Sequence, residues 1–192
     1  MNVGAGVVDT PVVLFAGLVR FRLKAASGVT DTAAVGALSP PAFVAERALR
    51  RIAEGQSEVW CSTRLIVRDS DNLIVGGCGF KGEPRDGRVE INYGVAPGTR
   101  RQGAATEAVS ALLHFAFSNG AIEVLAEIAI ENRASARTVE KLGFKSVATR
   151  VAEDGVTVVQ WVLTGAEFTR LRATTPDEQA HLLSLIARHL AS

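Results

Sequence analysis

A glycine-, alanine- and arginine-rich segment joins a strand to a helix and is well suited to bind an anion. It covers residues 95–107 and reads VAPGTRRQGAATE. Such a turn leaves backbone N–H groups unpaired, and the dipole of the helix that follows adds about half a positive charge. Arg100 and Arg101 add local positive charge. Three residues have little or no side chain to keep a ligand away: Gly103, Ala104 and Ala105. The segment predicts a diphosphate site; the alternative is a capped helix beside a solvated basic loop.

A second glycine pattern, Gly77 to Gly82, matches the G-x-G-x-x-G signature of dinucleotide-binding turns and follows an apolar strand. Residues 83–87, which read EPRDG, come next and form a turn, not the helix whose N-terminus would hold a dinucleotide. We interpret the match as accidental. Gly76 and Gly77 are better explained as a bulge or a close-packing point in a strand.

The composition indicates one globular domain without a general affinity for polyanions. The chain has 192 residues, 47% of them hydrophobic, and a formal net charge of +1. These values predict a real core and no general attraction to nucleic acid or to a membrane surface. Cys61 and Cys78 lie in apolar segments without metal-ligand spacing, so we expect core thiols and no metal site. Residues 11–19 lack the preceding basic residues of a signal sequence, and the expectation is a soluble cytoplasmic protein.

Turn signals and hydrophobic periodicity predict an α+β fold with strand-helix-strand crossovers in its second half. The first helix begins at Ser39 with prolines in its first turn, and Gly55 ends it; Asn119 and Gly120 end the second helix. The predicted strands are Val12–Leu23, Glu58–Arg68, Leu73–Lys81, Arg88–Val95, Ile122–Ile130, Lys145–Ala152 and Val156–Leu163. The predicted helices are Ser39–Glu54, one that contains Ala105 to Ala116 and ends at Asn119, Arg133–Leu142, and one from Thr175 to about Leu190. The second to fourth strands form an antiparallel meander.

Two segments resemble the GNAT superfamily of acyl-CoA-dependent N-acyltransferases. The family's phosphate loop, Q/R-x-x-G-x-G/A, is similar to residues 100–105, and the Thr106-Glu107-Ala108 that follows is common in its RimJ/RimL-like branch. Residues 132–144, NRASARTVEKLGF, resemble the branch's N-x-x-S…K-L-G-F segment. The resemblance implies a GNAT-like domain over residues 1–164, with a central mixed, mostly antiparallel sheet flanked by helices. Residues 165–192 would be a C-terminal helical extension that packs on the domain or on a partner subunit.

The resemblance further implies acetyl-CoA as co-substrate, bound where the fourth and fifth strands splay apart. Its diphosphate would lie on residues 100–106, and backbone groups of the fourth strand would contact the pantetheine and acetyl group. Asn132 would contact the cofactor or only cap the next helix. The residues expected to bind the cofactor are Tyr93, Gly94, Val95, Arg100, Arg101, Gln102, Gly103, Ala104, Ala105, Thr106 and Asn132. Arg101 and Ala104 replace the glycine and the aromatic residue commonest in the branch.

Acyl transfer to an amine needs a base for the ammonium and a proton for the departing thiolate. We expect Glu90, an acid on the central fourth strand, to be the base, with Glu127 and Glu131 as alternatives. The competing explanation is a surface acid that forms an ion pair with Arg88 or with a neighbouring strand. Many family members have a tyrosine where Val139 stands. The resemblance implies Ser135 as the acid instead, although a serine there also fits a local helix cap. We interpret the three histidines as structural residues: His114, His181 and His189.

These observations predict an acetyl-CoA-dependent N-acetyltransferase that acts by direct attack in a ternary complex. The acceptor stays open between a protein N-terminus and a small amine. A non-catalytic acyl-CoA-binding module with a sensory or assembly role is the alternative, motivated by the missing tyrosine. A nucleotide-binding protein that uses residues 77–82 is a third, and it predicts stabilisation by NAD. For the last helix, the alternatives are a lid over the sheet and a homodimer contact.

Overall fold

Seven strands form one mixed sheet, which we describe from a computed structural model. The structure describes residues 21–25, 42–68, 70–71 and 73–173. Its strands are β1 Phe21–Ala25, β2 Arg64–Arg68, β3 Leu73–Phe80, β4 Arg88–Val95, β5 Glu123–Ala129, β6 Lys145–Val151 and β7 Thr157–Thr164. Its helices are α1 Ala42–Ala53, α2 Glu58–Cys61, α3 Ala104–Ser118, α4 Arg133–Lys141 and α5 Gly165–Ala173, with a 3₁₀ turn at Pro97–Thr99.

The sheet has the order β1-β2-β3-β4-β5-β7-β6, and every neighbouring pair is antiparallel except β4 and β5. The predicted α+β class, the mixed sheet, the meander of β2 to β4 and the final hairpin are confirmed. The crossover from β4 through α3 to β5 makes the parallel pair, as expected of a strand-helix-strand unit.

The core lies between the sheet and α3. Val109, Leu112, Leu113 and Ala116 are buried along one side of this helix, and they pack with Val89 and other apolar sheet residues. Because these positions recur at helical spacing, the amphipathic pattern of the sequence is enough to orient α3. Its N-terminus consequently points to the end of β4, where the candidate site lies.

The segment 58–68 is not one strand, which corrects the sequence-based prediction. Its first part forms α2, and its second part forms β2. The ring of Trp60 packs 4.7 Å from that of Phe80 and 5.0 Å from that of Phe115, measured between centroids. These tertiary contacts bury one side of a single helical turn and override the strand propensity of the local sequence.

Both cysteines are free and buried, as predicted for core thiols. Desolvation raises the pKa of Cys78 to about 12. No helix among the described residues is long and apolar enough to span a membrane. The predicted helix at 175–190, with His181 and His189, and most of the first predicted strand fall outside the described residues.

Helix α5 begins directly after β7, and the sequence interpretation missed it. Thr164 and Glu167 cap it reciprocally: the backbone N–H of Thr164 donates to Glu167 Oε2 (3.2 Å), and that of Glu167 donates to Thr164 Oγ1 (3.3 Å). This is a capping box. Farther along α5, the ring of Phe168 packs against His114 of α3, with 4.9 Å between centroids. The helix is thereby fastened to the core.

Docking of α5 is expected to weaken as pH falls. Burial, together with the nearby Arg172 guanidinium, lowers the pKa of His114 from 6.5 to about 4. Arg172 Nη1 contacts Nε2 of the ring, which accepts when the ring is neutral. The unfolded chain therefore binds a proton more readily than the folded chain between these two values. The contribution of the neutral His114 ring to the stability of the folded chain is complete above pH 6.5 and is lost as pH falls towards 4.

Urea unfolding at pH 7 and pH 5 measures this effect. Wild-type protein should lose more stability than His114→Gln over this step, by on the order of 1 kcal/mol because the ring is only partly buried. Equal losses in the two proteins would contradict a neutral, docked imidazole.

Candidate active site

A cleft opens in the sheet where β4 and β5 part. Their residues pair in register from Arg88 with Glu123 to Ile91 with Ala126, and no pair follows. Beyond this point β4 continues to Val95 and β5 to Ala129. A cavity of about 760 Å³ lies at this end of the sheet. The predicted splay of the fourth and fifth strands is therefore present in the structure.

One rim of the cavity is the loop from β4 to α3. Arg101 and Gly103 have positive φ angles of 64° and 93°. No backbone N–H from Arg101 to Thr106 donates to an acceptor within the described residues, and Gly103 provides no side-chain cap for α3. Consecutive free N–H groups in such a turn form a concave anion-binding nest, and the helix dipole adds to it. The loop has the donors and the potential that a diphosphate requires.

Three contacts hold this loop in place. Thr99 Oγ1 donates to the carbonyl oxygens of Ala96 (3.1 Å) and Val75 (3.3 Å), which ties the 3₁₀ turn to β3. Arg100 Nε donates to the carbonyl of Val95 (3.2 Å). Arg68 Nη1, at the end of β2, donates to Gln102 Oε1 (2.9 Å). Because these contacts come from the protein itself, the nest is formed before any anion arrives.

Two glycines shape the floor of the cleft on β3 and β4. A Cβ on Gly76 would lie 2.2 Å from the carbonyl oxygen of Gly94, so only glycine allows the two strands to approach. A shift in the pairing of β2 with β3 occurs opposite Gly76. Both observations confirm the predicted bulge and close-packing point, and the glycine pattern at 77–82 lies on β3 and a turn to β4. A Cβ on Gly94, in contrast, would meet no atom within 4 Å.

The other rim is the start of α4. Asn132 Oδ1 accepts from the backbone N–H of Ser135 (3.2 Å), which confirms its role as N-cap. Tyr93 on β4 reaches across and donates its hydroxyl proton to the carbonyl oxygen of Ser135 (3.0 Å). Desolvation raises the pKa of this phenol to about 12. Asn132, Ser135 and Tyr93 thus meet at one wall of the cavity.

Most of the residues expected to bind a cofactor line this cavity. The predicted residues that do so are Tyr93, Gly94, Val95, Arg100, Arg101, Gly103, Ala104, Ala105, Thr106 and Asn132. The candidate acid, Ser135, lines it as well. Gln102 does not, because its side chain is turned towards Arg68 at the end of β2. Its backbone N–H belongs to the nest, so the prediction that Gln102 binds the cofactor now concerns its backbone.

The sequence interpretation named Ser135 of α4 but missed three other residues of this helix that line the cavity. Ala134, Arg137 and Thr138 also face the cavity. Their spacing of three and four residues places them on one helical face, a signal that was available from sequence. Arg137 brings a third guanidinium to the cavity, across from Arg100 and Arg101. The site consequently presents positive charge from two sides.

The candidate base, Glu90, lies on the other face of β4 and does not line the cavity. Its carboxylate forms an ion pair with Lys81, which follows β3, and 24% of its side chain is exposed. The predicted alternative was an ion pair with Arg88 or with a neighbouring strand. Arg88 instead pairs with Glu123 of β5, and Lys81 beside β3 provides the ion pair from the neighbouring strand. Glu90 thus remains a partly exposed carboxylate beside a movable ammonium group.

The two alternative bases differ from Glu90 in their surroundings. Arg150 of β6 donates to both oxygens of Glu127 at 2.6 and 2.5 Å, and Gln160 adds a bond of 2.8 Å. The bonds from Arg150 lower the pKa of Glu127 below its usual range. Glu131 is exposed and follows the end of β5, which corrects its placement on that strand. A carboxylate held by two partners accepts a proton poorly, which favours Glu90.

Two replacements of Arg101 should separate the effect of its strained backbone on stability from the effect of its charge on ligand binding. A non-glycine residue in the left-handed backbone conformation lowers the stability of the fold by about 1 kcal/mol, and glycine at the same position restores part of that stability. We expect Arg101→Gly to stabilise the fold by about 0.5 kcal/mol. The lost charge should weaken several-fold the binding of the diphosphate predicted for the nest, with CoA as the test ligand. Arg101→Ala keeps the strain and loses the charge, so it should weaken binding without any gain in stability. Denaturant unfolding and calorimetry measure the two quantities; a destabilised Arg101→Gly would contradict the strain.

Comparison with known proteins adds family information to this geometry. The profile of the acetyltransferase (GNAT) domain matches residues 26–145. The uncharacterized N-acetyltransferase YjdG of Bacillus subtilis (strain 168) is 37% identical over 82 residues, which cover 42% of this chain and 49% of that protein. The chain therefore spans about half the length of this curated relative.

Solved structures share the fold at low sequence identity. A putative ribosomal-protein-serine acetyltransferase from Vibrio cholerae has a TM-score of 0.59 at 15% identity, covering 76% of this chain and 94% of that one. A GNAT-family acetyltransferase from Bacillus anthracis has a TM-score of 0.51 at 21% identity, covering 55% and 67%. The aminoglycoside acetyltransferase AAC(6')-Ib, in complex with coenzyme A and kanamycin, has a TM-score of 0.50 at 22% identity, covering 58% and 68%. Identities this low support the shared fold alone.

Proposed function

The chain belongs to the acetyltransferase (GNAT) domain family, and from that premise we propose that it transfers the acetyl group of acetyl-CoA to a primary amine. The observation that carries the proposal is the nest of free N–H groups from Arg101 to Thr106, which opens onto the cleft between β4 and β5. The nest fits the diphosphate of CoA. The cleft then leads the pantetheine towards Tyr93 and Gly94, where the strands part.

The reaction proceeds by direct attack in a complex that holds both substrates. Glu90 takes a proton from the acceptor ammonium, directly or through water, and frees the lone pair that attacks the thioester carbonyl. An acceptor ammonium competes with Lys81 for this carboxylate, because the two cations interact with the same oxygens. A backbone N–H near Val95 would stabilise the oxyanion.

Calorimetry with CoA and acetyl-CoA tests the binding step, and release of free CoA tests the transfer. Suitable acceptors are an alanine-starting peptide, spermidine and kanamycin. The proposal expects binding of CoA and acceptor-dependent release of its thiol. Absence of heat on titrating CoA would overturn the proposal. Binding without release from any acceptor would favour a non-catalytic acyl-CoA-binding module, and stabilisation by NAD instead of CoA would favour a nucleotide-binding protein.

Arg137 is expected to contribute to cofactor affinity by its charge. It is exposed and faces the cavity from α4, opposite the nest that takes the diphosphate, so the 3′-phosphate of CoA is the group left for it. We expect Arg137→Gln to weaken acetyl-CoA binding about five-fold, or about 1 kcal/mol, and to leave binding of the dephospho form unchanged. Arg133→Gln is the matched control, since Arg133 is an exposed residue of the same helix outside the cavity. If Arg137→Gln weakened binding of acetyl-CoA and of its dephospho form equally, the assignment of Arg137 to the 3′-phosphate would be contradicted.

Finer assignments rest on the sequence. The RimJ/RimL-like branch is supported by the residues 100–108 and 132–144, and it leaves the acceptor between a protein N-terminus and a small amine. A cytoplasmic location and a homodimer stay predictions. The near-neutral net charge argues against an acceptor selected by a strongly acidic wall.

A further inference from the structure

The phenol of Tyr93 occupies a position that the reaction proposed so far does not use. It lies on β4, two residues beyond the last pair that joins β4 to β5, so it stands where the cleft begins. Its ring is partly buried and packs against the core, while its hydroxyl reaches the wall of the cavity. The hydroxyl donates to the carbonyl of Ser135 and thereby bridges β4 and α4.

The proton-bearing side chains that line the cavity differ in how readily they can protonate a thiolate. Thr99 is already bound to two carbonyl groups of the loop support. The guanidinium groups keep their protons at any accessible pH, and an aliphatic hydroxyl such as that of Ser135 is a far weaker acid than a phenol. Val139 on α4 is fully buried and carries no proton to give. Tyr93 remains the strongest acid among the lining residues that can release a proton.

Resting on the transferase function proposed above, we propose that Tyr93 delivers the proton to the sulfur of the departing CoA. The amine nitrogen forms a bond to the thioester carbonyl carbon, and the carbon–sulfur bond breaks with its electron pair going to sulfur. The phenol proton passes to sulfur and yields the free thiol. The phenolate regains a proton from water, which in turn takes up the second proton released by the amine. Atoms and charge balance without any further reactant.

The protonation state of the phenol suits this step over the whole physiological range. Burial keeps its pKa near 12, so the proton is present whenever the thioester is attacked. The carbonyl of Ser135 holds the hydroxyl in the cavity until the thiolate, a stronger acceptor, forms. Because a free phenolate is costly in this setting, transfer of the phenol proton to sulfur is coupled to return of a proton through water as the carbon–sulfur bond breaks.

Tyr93 is the only tyrosine of the sequence, so biosynthetic incorporation of 3,5-difluorotyrosine changes this one phenol and nothing else. Fluorination lowers the pKa of a phenol. We expect kcat of the natural protein to show no alkaline fall up to pH 10, and kcat of the fluorinated protein to fall at a lower pH. The downward shift should equal the shift in phenol pKa measured by ultraviolet titration. Superimposable kcat profiles for the two proteins would overturn the proposal.

Tyr93→Phe provides the complementary test. We expect kcat to fall about 100-fold while the Kd for CoA changes by less than about three-fold. The same variant produced with difluorotyrosine contains no fluorinated residue and controls for the growth conditions. If the variant does not fold, the fluorinated protein still decides. If the natural protein releases CoA and Tyr93→Phe releases it as fast, the proton-donor role is wrong and the transferase function stands.

An acceptor-independent measurement covers the case in which no tested amine reacts. Binding of CoA should shift the ultraviolet spectrum of the single phenol, and binding of desulfo-CoA should not, because only the former brings a thiol to the hydroxyl. Equal shifts with the two ligands would overturn the proposed contact. Failure to bind either ligand would remove the proposed function itself.

Discussion

Gly94→Val should weaken acetyl-CoA binding at least a hundredfold, or about 2.7 kcal/mol, without destabilising the fold. The structure places open space where the new side chain would stand, and Gly94 is itself one of the residues that line the cavity. Valine suits a strand, so β4 keeps its conformation while the branched side chain fills the path of the pantetheine. Calorimetry with acetyl-CoA and thermal unfolding measure the two effects.

The control for this variant is Gly98→Val. Gly98 also has no atom within 4 Å of its added Cβ, but it lies in the 3₁₀ turn and does not line the cavity. We expect Gly98→Val to bind acetyl-CoA within about two-fold of wild type. Retained affinity in Gly94→Val would show that the cofactor does not pass over β4 at this point, and the cleft assignment would fail.

Glu90→Gln should lower kcat by a factor of about 10² to 10⁴ with little change in the Kd for acetyl-CoA. The variant keeps the shape of the side chain and loses the carboxylate that we propose accepts the ammonium proton. Its residual rate should rise with pH, because solution then supplies the neutral amine that the proposed base would otherwise generate. A pH profile of CoA release between pH 6 and 10 measures this rescue.

Glu123→Gln is the matched control for the base. Glu123 is an acid on the neighbouring strand and forms its own ion pair with Arg88. It pairs with Arg88 at the end of the β4–β5 ladder farthest from the point where the strands part, so we expect its replacement to leave kcat within about two-fold and the pH profile unchanged. If Glu90→Gln behaves like Glu123→Gln, the carboxylate of Glu90 serves only its ion pair with Lys81.

The parts of the fold that follow from local pattern were predictable from sequence. The bounds of β4 were predicted correctly, because turn residues flank a segment of regular alternation. The nest was predictable too, since it depends on small residues at a helix start and not on any distant contact. Both features are set by neighbours in the chain, where sequence patterns carry most information.

Features that depend on distant contacts were not predictable in this way. The helical turn α2 exists because Trp60 meets aromatic rings of β3 and α3, and no local pattern encodes that meeting. An ion pair of Glu90 with a neighbouring strand was among the alternatives, but its partner was not identified: Lys81, which follows β3, lies opposite Glu90 in the β3–β4 hairpin. Helix α5 is a different case: its Thr164-Gly-Ala-Glu167 signature was present in the sequence and was overlooked.

The parting of β4 and β5 leaves the middle of the sheet with an internal seam. Backbone groups on facing edges of the two strands lack each other as partners beyond Ile91 and Ala126. Elsewhere such groups are paired by the next strand; here an extended, amide-bearing ligand can take that place. A ligand seated there would act as a short surrogate strand. The folded state would then gain stability in proportion to the logarithm of ligand concentration, which makes the integrity of the domain responsive to cofactor supply.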